Sequence, residues 1–388
     1  MKIALCSKGA FSLELGATKN RIELGDSLNQ LGWETDFIDG IKLGLTSNIP
    51  VSTEVFNLAM KEFMVANSGD YDVVLYESDT LPFDRNLFNK NTLFVARPAI
   101  LGYRFIKQNY KFNFKAKVSN LLKSFLNIFT PKYRLIPKGF AKYIDYCFEQ
   151  CDLIQIQNSQ DLELLIQRGF SKNKITIIPN GITADRLTSF QKFTPNFNEP
   201  IGIVYVGTFD FRKGAMDFPY IFERVKQKYP DAKLRLLGTS GMFSTQSEVL
   251  DFFPKNLHSS IEVVPKFSAN DLPRLLSENH VGIFPSYLES FGFGALEMMS
   301  AGLPVVAYDS PGPCDFVLPN LLVPVGDKKL FTDKIMGLLD DRKYLMEKGK
   351  EAQQIVSDNY RWEEIAKGVD LIYKEHLQKL RGPYVRSI

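Results

Sequence analysis

The sequence predicts an α/β protein of two doubly wound domains, and three observations carry that prediction. The chain of 388 residues exceeds what one hydrophobic core usually holds. Short apolar runs alternate with amphipathic helical spacing through both halves, the pattern of strand–helix–strand units. A polar, unpatterned stretch, TADRLTSFQKFTPNFNEP at 183–200, separates the halves. The division expected is therefore 1–185, a linker at 186–200, a second domain at 201–360, and a terminal helical segment at 361–388. Hydrophobic residues at 45% and charged residues at 23% are ordinary for a folded globular chain and exclude disorder. A net charge of +3 excludes no class of partner.

In the first half, Lys2–Ser7 reads as a strand, 9–17 as a glycine-bounded loop, and Ile22, Leu24, Leu28 and Leu31 as one helix face ended by Gly32. Trp33–Ile38 returns as the second strand. Further strands are expected at Asp72–Tyr76, Leu93–Ala96, Asp152–Gln157 and Ile175–Ile178. In the second half they fall at Ile201–Val206, Leu234–Leu237, Ile261–Val264, Val281–Phe284 and Val305–Tyr308, followed by helices at 327–339, 341–357 and 361–380. Ligands in such sheets gather beyond the carboxyl ends of the strands. Asp70-Tyr71-Asp72, a literal D-x-D, precedes its strand and so reads as a turn. Glu77 and Asp79 follow that strand and are candidates for the cleft.

The most informative stretch is Val281–Val306. A buried strand stops at Pro285, a loop Ser290-Phe291-Gly292-Phe293-Gly294 follows, and an apolar helix through Ala295, Leu296, Met298 and Met299 closes at Gly302. A glycine-rich loop leading into a helix offers free N–H groups and a favourable dipole to an anion. Glu289 and Glu297 bracket the loop eight residues apart. Carboxylates beside a phosphate site make sense where they accept hydrogen bonds from sugar hydroxyls, so the stretch suits a nucleotide-sugar. The plain alternative for either acid alone is a solvated or dipole-favouring helix glutamate. Gly207 ends another strand and leads to Arg212-Lys213-Gly214, two adjacent cations poised for a diphosphate.

Glu289, Phe291, Gly292, Glu297 and the following LEMMSAGLPVV resemble the E-x7-E signature of the retaining glycosyltransferases of family 4. The resemblance implies two Rossmann-like domains facing across a cleft, the GT-B arrangement, with the last helix crossing back to the first domain after Tyr360-Arg361-Trp362. It implies donor contacts from Gly16, Gly207, Gly238, Lys266, Phe267, Glu289, Ser290, Phe291, Gly292 and Glu297, with Arg212, Lys213 and Glu289 as the catalytic set. The second domain then takes the nucleotide-sugar, and the first takes the acceptor near Glu77, Asp79 and Arg97. Pro179-Asn180-Gly181 resembles the turn that ends the first domain. Two departures stand out: Arg97 lies where many relatives have a His, and Asp315 where they commonly have Glu. Arg212, Lys213, Glu289 and Glu297 are expected to converge on one crevice.

Residues 104–142 carry ten Lys or Arg and no acid, with an apolar helical face through Val118, Leu121, Leu122, Phe125, Leu126 and Phe129. Lys107, Lys111, Lys115, Lys117 and Lys123 would suit an anionic membrane surface or a phosphorylated lipid. A helix packed on the sheet with solvated lysines fits equally. Cys6, Cys147, Cys151 and Cys314 form no disulfide framework, and with three His no zinc site is expected. No signal peptide and no run of about 20 apolar residues is present, so the expectation is a cytoplasmic protein, soluble or lying peripherally on the inner membrane face. The function expected is retaining transfer of a hexose or N-acetylhexosamine from a nucleotide-sugar, a UDP-sugar being favoured. The acceptor would be a lipid-linked or polysaccharide glycan, with no cofactor, no obligate metal and no nucleic acid partner. The rivals are a GT-B nucleotide-sugar epimerase or hydrolase and a non-catalytic sugar-nucleotide-binding protein. A dinucleotide oxidoreductase is disfavoured because no G-x-G-x-x-G follows the first strand.

Overall fold

The computed structural model describes residues 1–12, 16–45, 52–106, 139–193, 195 and 200–382. Two six-stranded sheets organise it. The first contains β1 (Lys2–Cys6), β2 (Glu34–Ile38), β3 (Val73–Tyr76), β4 (Leu93–Ala96), β5 (Leu153–Ile156) and β6 (Ile175–Ile177), in the order β2-β1-β3-β4-β5-β6. The second contains β7 (Gly202–Val206), β8 (Lys233–Leu237), β9 (Ile261–Val264), β10 (Val281–Phe284), β11 (Val305–Tyr308) and β12 (Leu322–Val323), in the order β12-β11-β10-β7-β8-β9. Every strand pairing is parallel. Helices must therefore cover both faces, which is why β3, β4, β7, β10 and β11 are continuous buried apolar runs. The two Rossmann-like domains of the sequence reading are present, and β12, two residues long and too short to leave a pattern, is the strand it missed.

The terminal helix Trp362–Arg381 crosses back onto the first sheet. Trp362, Val369, Tyr373 and Leu377 pack with Ile3, Leu5, Leu24 and Leu28 in one core. Polar contacts fix its register: Trp362 Nε1 donates to Glu23 Oε2 at 2.9 Å, Trp33 Nε1 to Asp370 Oδ1 at 2.7 Å, and Tyr373 Oη to Gln155 Oε1 at 2.5 Å. Where the chain leaves the first domain and where it returns lie side by side, through Ile182 N to Tyr360 O at 2.8 Å and Trp362 N to Ile182 O at 3.1 Å.

The stretch at 183–200 differs from the reading as an unpatterned linker, since Ala184–Gln191 is a helix. Thr183 caps it by accepting from Arg186 N, and Leu187 and Phe190 bury themselves in the core of the second domain. Two large apolar positions in eight residues are too few to register as amphipathic spacing. The D-x-D stretch is structural. Asp70 ends a 3-10 turn, and Asp72 accepts from Lys2 N at 2.8 Å and from Arg381 Nη2 at 2.7 Å. All four cysteines are free thiols.

Candidate functional site

A doubly wound sheet opens a crevice where neighbouring strands lead their connections in opposite directions. In the second domain that point lies between β7 and β10, so the segments 207–214 and 285–292 form its lips. They are zipped together: Arg212 O accepts from Tyr287 N at 2.7 Å, and Ser286 Oγ donates to the same oxygen at 3.3 Å. The approach depends on Gly214, whose φ of +85° belongs to the left-handed region and whose site would put any Cβ into the Pro285 carbonyl. Asp210 caps the turn Phe211–Lys213, accepting from Lys213 N at 3.1 Å and from Arg212 Nη2 at 3.0 Å. Lys213 Nζ reaches the Glu289 carboxylate and lies 5.8 Å over the Phe284 ring. Glu289 is buried and also accepts from Ser286 Oγ at 3.0 Å.

The helix Phe293–Ser300 starts at Gly292; Ala295 N already donates to Gly292 O at 3.0 Å, which leaves the amides of Phe293 and Gly294 without an intrahelical acceptor. Gly294 presses this start onto β7, because a Cβ there would overlap the Val206 carbonyl. Amides, Arg212 and Lys213 thus line one cleft of about 480 Å³, together with Gly207, Glu289, Ser290, Phe291 and Gly292. This wall offers cations and amide donors to an anion, with one carboxylate beside it.

The opposite wall belongs to the first domain and includes Asn20, Arg21, Arg97, Gln157 and Asn180. Arg97 Nη1 donates to Asn20 Oδ1 at 3.2 Å and its Nη2 to Asn180 Oδ1. Arg21 Nη1 is paired with Glu77 Oε1 at 3.1 Å. Burial pulls the Arg97 guanidinium down to about 9, and the charge of Arg21 adds to that. The walls are joined at the rim: Asn158 Nδ2 donates to Ser290 O at 2.9 Å, Ser159 N to Asp315 Oδ2 at 2.7 Å, and Gln160 Nε2 to Asp309 Oδ1 at 2.9 Å.

A second pocket of about 310 Å³ adjoins the cleft and shares Pro98, Ala99 and Ile100 with it. Glu77 and Asp79 lie in its wall among Phe105, Phe140, Tyr143 and Ile144. Burial and the neighbouring Glu77 push the Asp79 carboxyl above the usual range.

Three of the four residues expected to converge do so, and the fourth departs. Glu297 is one helical turn beyond the amides and turns instead to Arg186, 3.4 Å away, which is anchored on the Ala269 carbonyl by its other guanidinium nitrogen. Arg186 comes from the helix at 184–191, the element the sequence concealed. Gly238 packs against Phe267, and Lys266 is exposed. All three are outside the residues lining the cleft. Gly16 opens the helix Gly16–Gln30 after β1. Lys107, Lys111, Lys115, Lys117 and Lys123 lie outside the described residues. Asn20, Arg21, Gln157 and Asn180 were not expected in the site. For Arg21 a signal existed, a lone cation among the apolar positions of the first helix. Among the described residues no three His, Cys, Asp or Glu side chains converge as a metal-ligand set, and no helix is long and apolar enough to cross a membrane.

Residues 188–355 match the family described as glycosyl transferases group 1. A Klebsiella pneumoniae protein described as an uncharacterized 41.2 kDa protein in the cps region is 25% identical over 323 residues, 75% of this chain and 85% of that protein. Glycogen synthase from Mycobacterium tuberculosis is 25% identical over 242 residues, 61% of this chain, and the chain spans only 57% of that enzyme's length. Among solved structures, Anabaena HepE in complex with UDP-glucose superposes with a TM-score of 0.67 at 16% identity, covering 97% of this chain and all of that one. That likeness establishes the GT-B fold.

Proposed function

We propose that this protein is a retaining glycosyltransferase that moves a hexose-type sugar from a UDP-sugar to a glycan acceptor, without a metal ion. One observation carries the reading. Arg212, Lys213 and the amides of a helix start meet, with Glu289 beside them, at the point where the second sheet reverses its winding. The group 1 match over this half of the chain and the UDP-glucose bound to HepE support the same ligand class.

In the reaction so proposed, the bond from the anomeric carbon to the diphosphate breaks and an acceptor oxygen bonds to that carbon on the same face. The acceptor proton passes to a phosphate oxygen of the leaving group, so no protein base is required. The diphosphate gains charge as it leaves, and preorganised donors stabilise that charge more in the transition state than before it. Arg212, braced by Asp210, and Lys213, braced by Glu289, fill that role, and the amides at Gly292–Gly294 add to it. The neighbouring pocket, apolar with Glu77 and Asp79 in its wall, suits an acceptor that presents a hydroxyl beside an apolar group. A lipid-linked or capsule-type glycan fits, and the likeness to a protein of a cps region points the same way.

A thermal-shift screen of UDP-sugars tests donor binding, since a ligand that binds only the native state raises apparent stability. Proton NMR of the product formed with an oligosaccharide acceptor then reads the anomeric configuration. Retention is expected; inversion, or free sugar alone as product, overturns the assignment. Sedimentation with anionic liposomes tests the membrane expectation for the lysines at 107–123. Binding that survives their conversion to Glu would refute it.

A further inference from the structure

Arg97 raises a question that diphosphate chemistry does not answer. Its side chain is 3% exposed, follows β4 and lines the cleft on the first-domain wall. Both of its hydrogen-bond acceptors, Asn20 Oδ1 and Asn180 Oδ1, are neutral amides, and its buried Nε has no hydrogen-bond partner. Among the described residues no carboxylate lies within ion-pair distance of it, and nearby Glu77 is already committed to Arg21. A desolvated cation without a counter-ion is costly. A negatively charged ligand group in the cleft would remove that cost.

The diphosphate is provided for on the other wall, by Arg212, Lys213 and the helix amides. Arg97 lies across the cleft from them and does not line the neighbouring pocket, where the acceptor is assigned. What remains between is the sugar of the donor. Sugar hydroxyls are neutral, whereas the carboxylate of a uronic acid is planar and matches the two-pronged donor face of a guanidinium. We propose that Arg97 selects a nucleotide-linked uronic acid as donor, by pairing with the carboxylate of the transferred sugar. The inference rests on the nucleotide-sugar reading above, and it goes further by naming the charge of the sugar and the residue that reads it.

Isothermal titration of the full chain with UDP, UDP-glucose, UDP-galactose, UDP-glucuronate and UDP-galacturonate tests it. One uronate should bind at least about tenfold more tightly than its neutral counterpart, the gain of one good charged contact of about 1.4 kcal/mol. Arg97→Gln should bring the pair to within about twofold while UDP itself binds as before, and Arg97→Lys should keep part of the preference. Equal or tighter binding of the neutral sugars overturns the proposal and leaves the transferase reading intact. So does an Arg97→Gln variant that weakens UDP as much as it weakens the uronate, since Arg97 would then serve the diphosphate or the fold. Failure of UDP to bind at all removes the transferase reading, and this inference with it.

Discussion

Lys213 and Glu289 hold each other in the absence of ligand, and Ser286 holds Glu289. The ammonium is therefore in place before any diphosphate arrives, which is what makes an electrostatic contribution large. Lys213→Ala should lower kcat by about 10²–10³-fold, the usual loss for one preorganised donor. The melting temperature should fall as well, because the variant leaves the buried Glu289 carboxylate with Ser286 but without its counter-ion. A loss below about tenfold would remove Lys213 from the chemistry. A different residue makes its own contribution to stability pH-dependent. Burial pushes the Glu23 carboxyl above its usual range, against the pull of Lys19 and of the Trp362 indole N–H. The native state therefore binds that proton more tightly than the unfolded chain does. The contribution of Glu23 to stability thus falls as pH rises from the ordinary carboxylate value to the raised one. Glu23→Gln keeps an acceptor for Trp362 and removes the charge. Thermal unfolding should show the variant gaining on the wild type as pH rises from about 4 to 8; an equal change at both ends would contradict the assignment.

At the scale of elements, the glycines of the cleft set how closely strand and helix meet. Gly294→Ala would push the start of the Phe293–Ser300 helix off the Val206 carbonyl, so UDP affinity should drop more than tenfold in titration while the fold survives. Unchanged affinity would mean that the helix start is not part of the anion site. This element was legible in the sequence, because a buried strand, a glycine loop and an apolar helix ending at Gly302 each leave a local pattern. So did eleven of the twelve strands, the central ones as apolar runs that follow from burial on both faces. Part of what escaped depends on the other domain. Asn20, Gln157 and Asn180 are ordinary polar residues until the two sheets face each other. The placing of Glu297 turned on Arg186, carried by a helix whose two buried positions leave too faint a pattern.

Across the whole molecule, the cleft exists only while the two domains stay together, and the rim contacts decide how much of the time that is. Asp315 accepts from Ser159 N and from its hydroxyl, at the start of the helix Ser159–Gln167, where a carboxylate also meets the favourable end of the helix dipole. Next to it, Asn158 holds the carbonyl of Ser290, inside the loop assigned to the phosphates. Closure and loop geometry are thereby linked: opening the rim releases Ser290. Asp315 is exposed, so its contacts are worth about 1 kcal/mol rather than the larger figure of a buried charge. Asp315→Ala should therefore shift the balance between open and closed forms by about fivefold. Apparent UDP affinity falls in proportion to the closed fraction lost, and kcat at saturating donor is unchanged because the reacting groups are intact. Small-angle X-ray scattering should give the variant a larger radius of gyration than the wild type without ligand, and the two should converge once UDP saturates the site. Identical radii without ligand, together with unchanged UDP affinity, would show that the rim contacts follow closure and do not control it.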